Sequence, residues 1–147
     1  MTAHAAARLG YRVHILCPED DSPATQVAQA ATIAAYDDAD ALKRFADSVD
    51  VATFEFENIP ADTATALADL VPVRPSPGCL AVAQDRIVEK TFLNKHGAPT
   101  TPFAAVNSAA ELDQALETLG RPAVLKTAVL GYDGKGQVMI GKETDAA

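Results

Sequence analysis

Short apolar segments of strand character alternate with helical patterns over the first half of the chain, and this alternation most strongly limits its fold. The strand-like segments lie at 11–18, 31–36, 51–58 and 71–76. Helices are predicted around them at 3–9, 38–49 and 59–70. Such an alternation is typical of a parallel, doubly wound sheet with helices on its faces. We therefore predict an α/β domain over residues 1–83.

The segment at 38–49 has the clearest helical pattern. Its apolar residues recur at Leu42, Phe45, Ala46 and Val49. Because this spacing places them on one face of a helix, we expect that face to contact the core.

The pattern changes near residue 75, where the sequence PSPG at 75–78 is typical of a linker. Further along, helices are predicted at 84–97 and 107–120, and strands at 122–130 and 137–141. The two strands flank a short glycine-rich segment, which favours an antiparallel hairpin. We predict that residues 84–147 are the start of a separate α+β domain.

Composition limits the partners that the chain can have. Its 147 residues are 48% apolar and carry a formal net charge of −8, so there is no overall field to attract nucleic acid or anionic lipid. We therefore expect no nucleic-acid partner and no membrane partner. The use of only two cysteines fits a reducing compartment, so we expect a cytoplasmic location. Cys17 and Cys79 stand at unrelated positions, and His4, His14 and His96 have no metal-ligand spacing. We expect no metal ligands within the chain.

A cluster of glycines and charges separates the two predicted hairpin strands. Gly131, Gly134 and Gly136 fall within six residues, with Asp133 and Lys135 between them. A P-loop would need Ser or Thr after the lysine, and the dinucleotide fingerprint would need a further glycine three residues later. Glycines let backbone N–H groups approach an anion closely, and the lysine adds positive charge. The residues alone fit either a phosphate-covering loop or a plain flexible turn.

Two charged patterns lie within predicted strands. Lys126 stands in the apolar segment AVLKT, where a lone lysine is costly unless it is paired. It suits the phosphates of a nucleotide, or else it is an edge-strand lysine facing water. Glu55 and Glu57 would lie on one face of their strand, about 7 Å apart. They indicate either a ligand site at the end of the sheet or a half-exposed strand end.

Four segments together resemble the N5-carboxyaminoimidazole ribonucleotide synthase family, which are ATP-grasp ligases of purine biosynthesis. They are YRVHILCPEDDSPA, VATFEFENIP, AQDRIVEKTFL and AVLKTAVLGYDGKGQ. Their order and spacing extend the resemblance over essentially the whole chain. It implies a pre-ATP-grasp domain at 1–83, followed by the first part of an ATP-grasp domain at 84–147.

The resemblance also implies a reaction. Enzymes of this family use ATP to activate bicarbonate as carboxyphosphate, and they require Mg²⁺. The activated carboxyl group is transferred to the exocyclic amine of 5-aminoimidazole ribonucleotide. The products are N5-carboxyaminoimidazole ribonucleotide, ADP and phosphate.

Site residues follow from the matching motifs. Arg86 and Lys126 are expected to contact ATP. A flexible loop is expected over its phosphates, formed by Gly131, Tyr132, Asp133, Gly134, Lys135, Gly136 and Gln137. Tyr132 and Lys135 are the expected catalytic residues, with Tyr132 beside bicarbonate or the intermediate. Glu55 and Glu57 are expected to bind the ribonucleotide for a different reason, because they lie in the first predicted domain whereas the loop and Lys126 lie in the second.

The chain departs from the family pattern in several places. The family usually begins with a strand and a glycine-rich GxGQLG turn, and it often has basic residues where this chain has Ala128 and Val129. The adenine-binding hinge and the Mg²⁺ ligands are expected beyond residue 147. We therefore expect an internal piece that is inactive alone, from an enzyme whose complete form could be a homodimer. Another ATP-grasp carboxylase or formyltransferase, or a non-catalytic nucleotide-binding module, stays open as an alternative.

Overall fold

The chain forms two compact units in a computed structural model that describes residues 1–131 and 134–142. The first unit is Met1–Ala81 and the second unit is Val82–Ala147. In chain order, the first four helices and first two strands are α1 Thr2–Arg8, β1 His14–Cys17, β2 Ala30–Ile33, α2 Ala39–Ala46, α3 Ala61–Ala68 and α4 Pro77–Gln84. They are followed by α5 Arg86–Lys95, α6 Ala109–Leu119, β3 Ala123–Lys126 and β4 Gln137–Ile140.

Strands β1 and β2 pair in parallel, in a register that runs from His14 opposite Ala30 to Cys17 opposite Ile33. A short 3₁₀ turn at Thr25–Val27 lies in the connection between them. The parallel pairing and the helices around it confirm the predicted α/β class.

Helix α2 contributes most of its apolar face to the core of the first unit. Leu42 is only 4% exposed, and Phe45 and Ala46 are each 7% exposed. Val49 packs against the same cluster, which confirms the face predicted from the spacing. The helix begins where the Asp38 carboxylate accepts the Ala41 N–H at 2.9 Å. The remaining buried members of the cluster are Ala52, Leu67, Val71 and Val73.

The predicted strands at 51–58 and 71–76 are wrong beyond one contact. A single parallel bridge joins Ala52 to Val73, and residues 53–58 form bends, turns and irregular backbone. The bridge is made by the Ala52 N–H to the Pro72 carbonyl and by the Arg74 N–H to the Ala52 carbonyl. The preceding donor in this register would be residue 72, and because proline has no N–H, Pro72 ends the pairing on that side.

The predicted linker at 75–78 is also corrected by the structure, since Pro77 and Gly78 form the first turn of α4. Proline is compatible with the first position of a helix, because its fixed backbone angle is helical and its missing N–H is not needed there. The helix is fixed by Leu80, whose side chain is fully buried.

In the second unit, α6 begins where the Ser108 hydroxyl accepts the Glu111 N–H at 3.2 Å, and it ends at Gly120. Leu116 of this helix and Ile140 of β4 are buried. Among the residues that the structure describes, no helix has both the length and the apolar character needed to cross a bilayer.

His14 on β1 is held between two hydroxyl groups. Its Nδ1 lies 2.8 Å from the Ser48 Oγ, and its Nε2 lies 2.9 Å from the Thr32 Oγ1. Ser48 donates its one hydroxyl hydrogen to the Phe45 carbonyl at 2.7 Å, so it accepts the hydrogen of His14 Nδ1. The neutral ring then accepts at Nε2 from Thr32. Burial lowers the pKa of His14 below its ordinary value of 6.5.

We expect this arrangement to make the thermal stability of the chain depend on pH. Because the pKa of folded His14 lies below that of the unfolded chain, the unfolded state binds the proton more readily. The stabilisation is therefore present above pH 6.5 and is lost as the pH falls through the folded pKa. Melting temperatures between about pH 5 and 8 should show this decline, and His14→Gln should reduce it.

The matched control is His4→Gln, which changes an exposed histidine on α1. It should keep the wild-type dependence of melting temperature on pH. If His14→Gln also kept that dependence, the titration of His14 would not be its cause.

Candidate functional site

The hairpin of β3 and β4 places the glycine cluster at its connecting loop. The strands are antiparallel, with Ala123 opposite Ile140 and Lys126 opposite Gln137. One further hydrogen bond, from the Thr127 N–H to the Gly136 carbonyl at 2.9 Å, closes the base of the loop. The predicted hairpin is therefore confirmed.

Backbone conformation explains two of the loop glycines. Gly134 has φ 78° and Gly136 has φ 68°, both in the left-handed region that side chains disfavour. Leu130, just before the loop, has φ 58°, and a residue with a side chain pays about 1–2 kcal/mol for this conformation. The base of the loop thus follows a path that an ordinary sequence would avoid.

A pocket of about 140 Å³ lies beneath this loop. It is lined by Arg86, Lys126, Thr127, Gly131, Gly134, Lys135, Gly136 and Gln137. Three of these residues are cationic, and the lining formed by described residues contains no carboxylate. In a chain whose net charge is −8, this is a local group of donors suited to an anion.

Arg86 is held against the loop from the start of α5. The Asp85 carboxylate caps that helix by accepting the N–H groups of Ile87 and Val88 at 2.8 and 3.0 Å. The Arg86 N–H donates to the Ala128 carbonyl at 2.9 Å, which ties the helix start to the residue after Thr127. The guanidinium therefore enters the pocket from a fixed backbone position.

The guanidinium of Arg86 keeps donors for a ligand. Its Nη2 donates to the Gly131 carbonyl at 3.5 Å, which is a long contact. Its Nε is buried and has no hydrogen-bond partner among the described residues. Since a buried donor without an acceptor is costly, this atom is suited to an acceptor that a ligand would bring.

Lys126 is the last residue of β3 and lines the pocket beside Gln137. The residue is exposed, so the burial cost expected from its apolar segment does not arise. Within residues 1–131 and 134–142, its ammonium group has neither a hydrogen-bond nor an ion-pair partner. An edge-strand lysine would also be exposed, but its place in the pocket makes the charge available to an anion.

The structure brings together most of the predicted nucleotide-binding residues: Arg86, Lys126, Gly131, Gly134, Lys135, Gly136 and Gln137 all line the pocket. Tyr132 and Asp133 lie outside the described residues. Thr127 also lines the pocket, and the sequence analysis missed it. The only signal for it was its position directly after Lys126.

Glu55 and Glu57 lie in the first unit and are exposed, but they do not share the face of a strand as predicted. Glu55 Oε2 accepts the Thr2 N–H at 3.2 Å, near the start of α1. Hydrogen bonds from the Thr2 hydroxyl and backbone N–H hold the pKa of Glu55 below its ordinary value. Neither glutamate lines the pocket beneath the glycine loop.

No cluster of three or more potential metal ligands from His, Cys, Asp and Glu occurs within residues 1–131 and 134–142.

Relatives of known name align with nearly all of the chain. An N5-carboxyaminoimidazole ribonucleotide synthase from Brucella melitensis is 47% identical over 99% of this chain and 41% of that protein. A bifunctional purine synthesis protein purC/E from Dictyostelium discoideum is 46% identical over 99% of this chain and 14% of that protein. The chain thus spans less than half the length of either relative.

Solved structures with the same fold carry related names. The Staphylococcus aureus N5-carboxyaminoimidazole synthetase in complex with ADP has a TM-score of 0.90 and 40% identity, over 99% of this chain and 39% of that one. An Aspergillus clavatus N5-carboxyaminoimidazole synthase in complex with ADP and 5-aminoimidazole ribonucleotide has a TM-score of 0.73 and 26% identity. That match covers 94% of this chain and 36% of the other.

Two family models match consecutive parts of the chain. The ATP-grasp domain model matches residues 91–147, which include the hairpin and its glycine loop. The model of the ribonucleotide synthetase preATP-grasp domain matches residues 1–84, which is more than half of the chain. The chain therefore belongs to the ribonucleotide synthetase preATP-grasp domain family.

Proposed function

We propose that the chain acts in an ATP-grasp carbon–nitrogen ligase that carboxylates 5-aminoimidazole ribonucleotide with bicarbonate, at the expense of ATP, in purine biosynthesis. The observation that carries the proposal is the pocket beneath the glycine hairpin, which presents Arg86, Lys126 and Lys135 without a carboxylate among its described residues. The named relatives, which align with nearly the whole chain, support the choice of reaction.

In the proposed reaction, a bicarbonate oxygen attacks the γ-phosphorus of ATP, and the bond from that phosphorus to the bridging oxygen of ADP breaks. The product is carboxyphosphate. The amine of the ribonucleotide then attacks the carbonyl carbon of carboxyphosphate, inorganic phosphate leaves, and the amine loses a proton. Both steps move negative charge between oxygens, so their catalysis depends on positioned positive groups.

The pocket residues have separate parts in this chemistry. Arg86 and Lys126 bind phosphate oxygens of ATP, and the backbone N–H groups of Gly134 and Gly136 approach the same oxygens. Lys135 lies near the transferred group, and Tyr132 is proposed to hold bicarbonate or carboxyphosphate. Each charge-assisted hydrogen bond from Arg86 or Lys126 to a phosphate oxygen contributes about 1.5–3 kcal/mol.

Magnesium belongs to the proposal for the complete enzyme, where it would neutralise charge on the β- and γ-phosphates. The described residues of the pocket do not fit the metal itself, because Mg²⁺ prefers oxygen ligands and the charged groups present are cations. These residues suit phosphate oxygens.

We also propose a domain boundary at residues 83 and 84, a cytoplasmic location and a homodimer for the complete enzyme. The boundary is supported by the division of the chain after Ala81 and by the preATP-grasp match, which ends at residue 84.

The function is tested in a chimera in which residues 1–147 replace the matching segment of the Brucella melitensis relative. We expect ADP release that requires both bicarbonate and 5-aminoimidazole ribonucleotide, because one ATP is consumed for each carboxylation. A coupled assay for ADP and a direct assay for the carboxylated product should give equal rates.

Omission of bicarbonate or ribonucleotide provides the control for this assay. ADP release that needs a different amine acceptor would instead indicate another ATP-grasp carboxylase or formyltransferase. A correctly folded chimera without nucleotide-dependent turnover would contradict the proposed function.

A further prediction concerns Arg86 and Lys126, the two cationic side chains assigned to ATP. In the chimera, Lys126→Ala and Arg86→Ala should each raise the KM for ATP and lower kcat. Loss of one charge-assisted contact predicts a fall in kcat/KM of roughly 10- to 150-fold. Initial rates at varied ATP concentration measure both constants.

Lys95→Ala is the matched control, because it removes an exposed lysine from the last turn of α5, outside the pocket. Its KM for ATP should stay within about twofold of wild type, as for other surface changes. Unchanged ATP kinetics in both Lys126→Ala and Arg86→Ala would remove these residues from the proposed phosphate site.

Another prediction concerns Glu55 and Glu57, the carboxylates of the first unit that we propose to contact the ribonucleotide. Glu55→Gln and Glu57→Gln keep the side-chain shape and remove the charge. In the chimera, each should raise the KM for 5-aminoimidazole ribonucleotide and leave the KM for ATP near wild type. Because Glu55 accepts a hydrogen bond from Thr2, melting temperatures are measured in parallel.

Asp69→Asn makes the same charge change at an exposed position after α3 and serves as the control. It should alter neither KM. If both glutamine variants melted early and showed no selective effect on the ribonucleotide, the carboxylates would belong to the scaffold.

A further inference from the structure

Thr127 occupies the space that side chains at two loop glycines would need. A Cβ atom at Gly136 would lie 2.7 Å from the Thr127 Oγ1 and 3.0 Å from its Cγ2. A Cβ atom at Gly131 would lie 2.9 Å from the same Oγ1. Since these distances are shorter than van der Waals contact, glycine at both positions lets the backbone of Gly131 and of Gly136 approach one side chain closely.

The other loop glycine does not share this contact. A Cβ atom at Gly134 would meet only the Gln137 Nε2, at 3.4 Å. Gly134 is therefore required for its positive φ, whereas Gly131, which has no positive φ, is required for space alone. Gly136 is required for both reasons.

Thr127 is itself held firmly. Its N–H donates to the Gly136 carbonyl at 2.9 Å, directly after the last pair of the β3–β4 ladder. Its branched Cβ restricts the side chain to few rotamers. Its hydroxyl has no hydrogen-bond partner among the described residues, so the relation of the side chain to the glycines is one of the space that it fills beside them.

The same contact fixes the loop relative to the cationic groups. A Cβ atom at Gly131 would also lie 3.6 Å from the Arg86 Nη2, and the Gly131 carbonyl accepts from that nitrogen at 3.5 Å. Gly131 therefore lies close to both Thr127 and Arg86. A shift of the loop away from Thr127 would change the distance between its backbone and the guanidinium.

We propose that Thr127 is a positioning residue. Its side chain packs beside the backbone of Gly131 and Gly136, and this packing, the Thr127 seat, sets the glycine loop against Arg86 and beside Lys126. The seat acts through the shape of the side chain, and its hydroxyl is not required. The catalytic consequence of the seat rests on the proposed function, whereas the seat itself is a property of the chain without nucleotide.

The seat is tested without nucleotide by a double-mutant cycle in the full chain. Gly131→Ala should increase the exchange rate of the amide hydrogen at residue 127 about tenfold, because the new methyl group displaces the loop. In a Thr127→Ala background, where the methyl group has room, the same substitution should change that rate by less than about threefold.

Two further variants separate shape from chemistry. Thr127→Val keeps the branched shape and removes the hydroxyl, so its exchange rates should stay within about twofold of wild type. Gly134→Ala is the matched glycine control, since its Cβ does not approach Thr127. The effect of Gly134→Ala should be the same whether residue 127 is Thr or Ala.

The chimera reports the consequence for catalysis. Gly131→Ala should raise the KM for ATP about tenfold in the wild-type background and less than about threefold with Thr127→Ala, relative to Thr127→Ala alone. Thr127→Val should keep the KM for ATP near that of wild type. A protein in which residue 127 only stabilised the fold would show parallel loss of melting temperature and no coupling to Gly131.

Additive effects of Gly131→Ala and Thr127→Ala on amide exchange would overturn the proposal. The proposal would also be overturned if Thr127→Val increased amide exchange as much as Thr127→Ala, because the hydroxyl would then be the group that positions the loop. Coupling in amide exchange without nucleotide-dependent turnover in the chimera would support the seat and contradict the proposed function.

Discussion

The register of β3 against β4 is the constraint on which the pocket depends. Lys126 and Gln137 are opposite one another, and both line the pocket. Because side chains alternate between the faces of a strand, a slip of one residue would move such a pair to the other face. Burial of Ile140 at one end and the hydrogen bond from Thr127 to Gly136 at the other end keep the strands aligned.

In the first unit, the amphipathic helix and the first two strands were predicted correctly, whereas the strands at 51–58 and 71–76 were not. Leu42, Phe45 and Ala46 form the buried face that their spacing indicated, because an amphipathic helix carries its own backbone hydrogen bonds. A strand needs a partner with free N–H groups, which local sequence does not specify. The segment at 51–58 therefore has a sequence typical of a strand, but it pairs with the segment at 71–76 only through Ala52.

In the second unit, the hairpin and its glycine loop were predicted from the apolar segments and the glycines between them. The place of Arg86 at the ATP site was predicted from family resemblance. The exposure of Lys126 was left open by the sequence, since an apolar neighbourhood in sequence does not fix the exposure of one side chain at a strand end. Thr127 escaped notice because its part depends on contacts with glycines four and nine residues further along. Distances of this kind are set by the fold and leave no motif.

The cationic pocket of an acidic chain has a consequence for the kinetics of ligand capture. At physiological ionic strength the Debye length is about 8 Å, so the repulsion between an approaching anion and the net charge of −8 is largely screened at longer distances and acts mainly at low salt. Within direct contact distance, Arg86 and Lys126 outweigh that field. The charge distribution of the chain therefore does not steer anions toward the pocket, and modest salt favours encounter by screening the repulsion. Affinity for an anion must then come from slow release, once desolvated contacts with the pocket have formed.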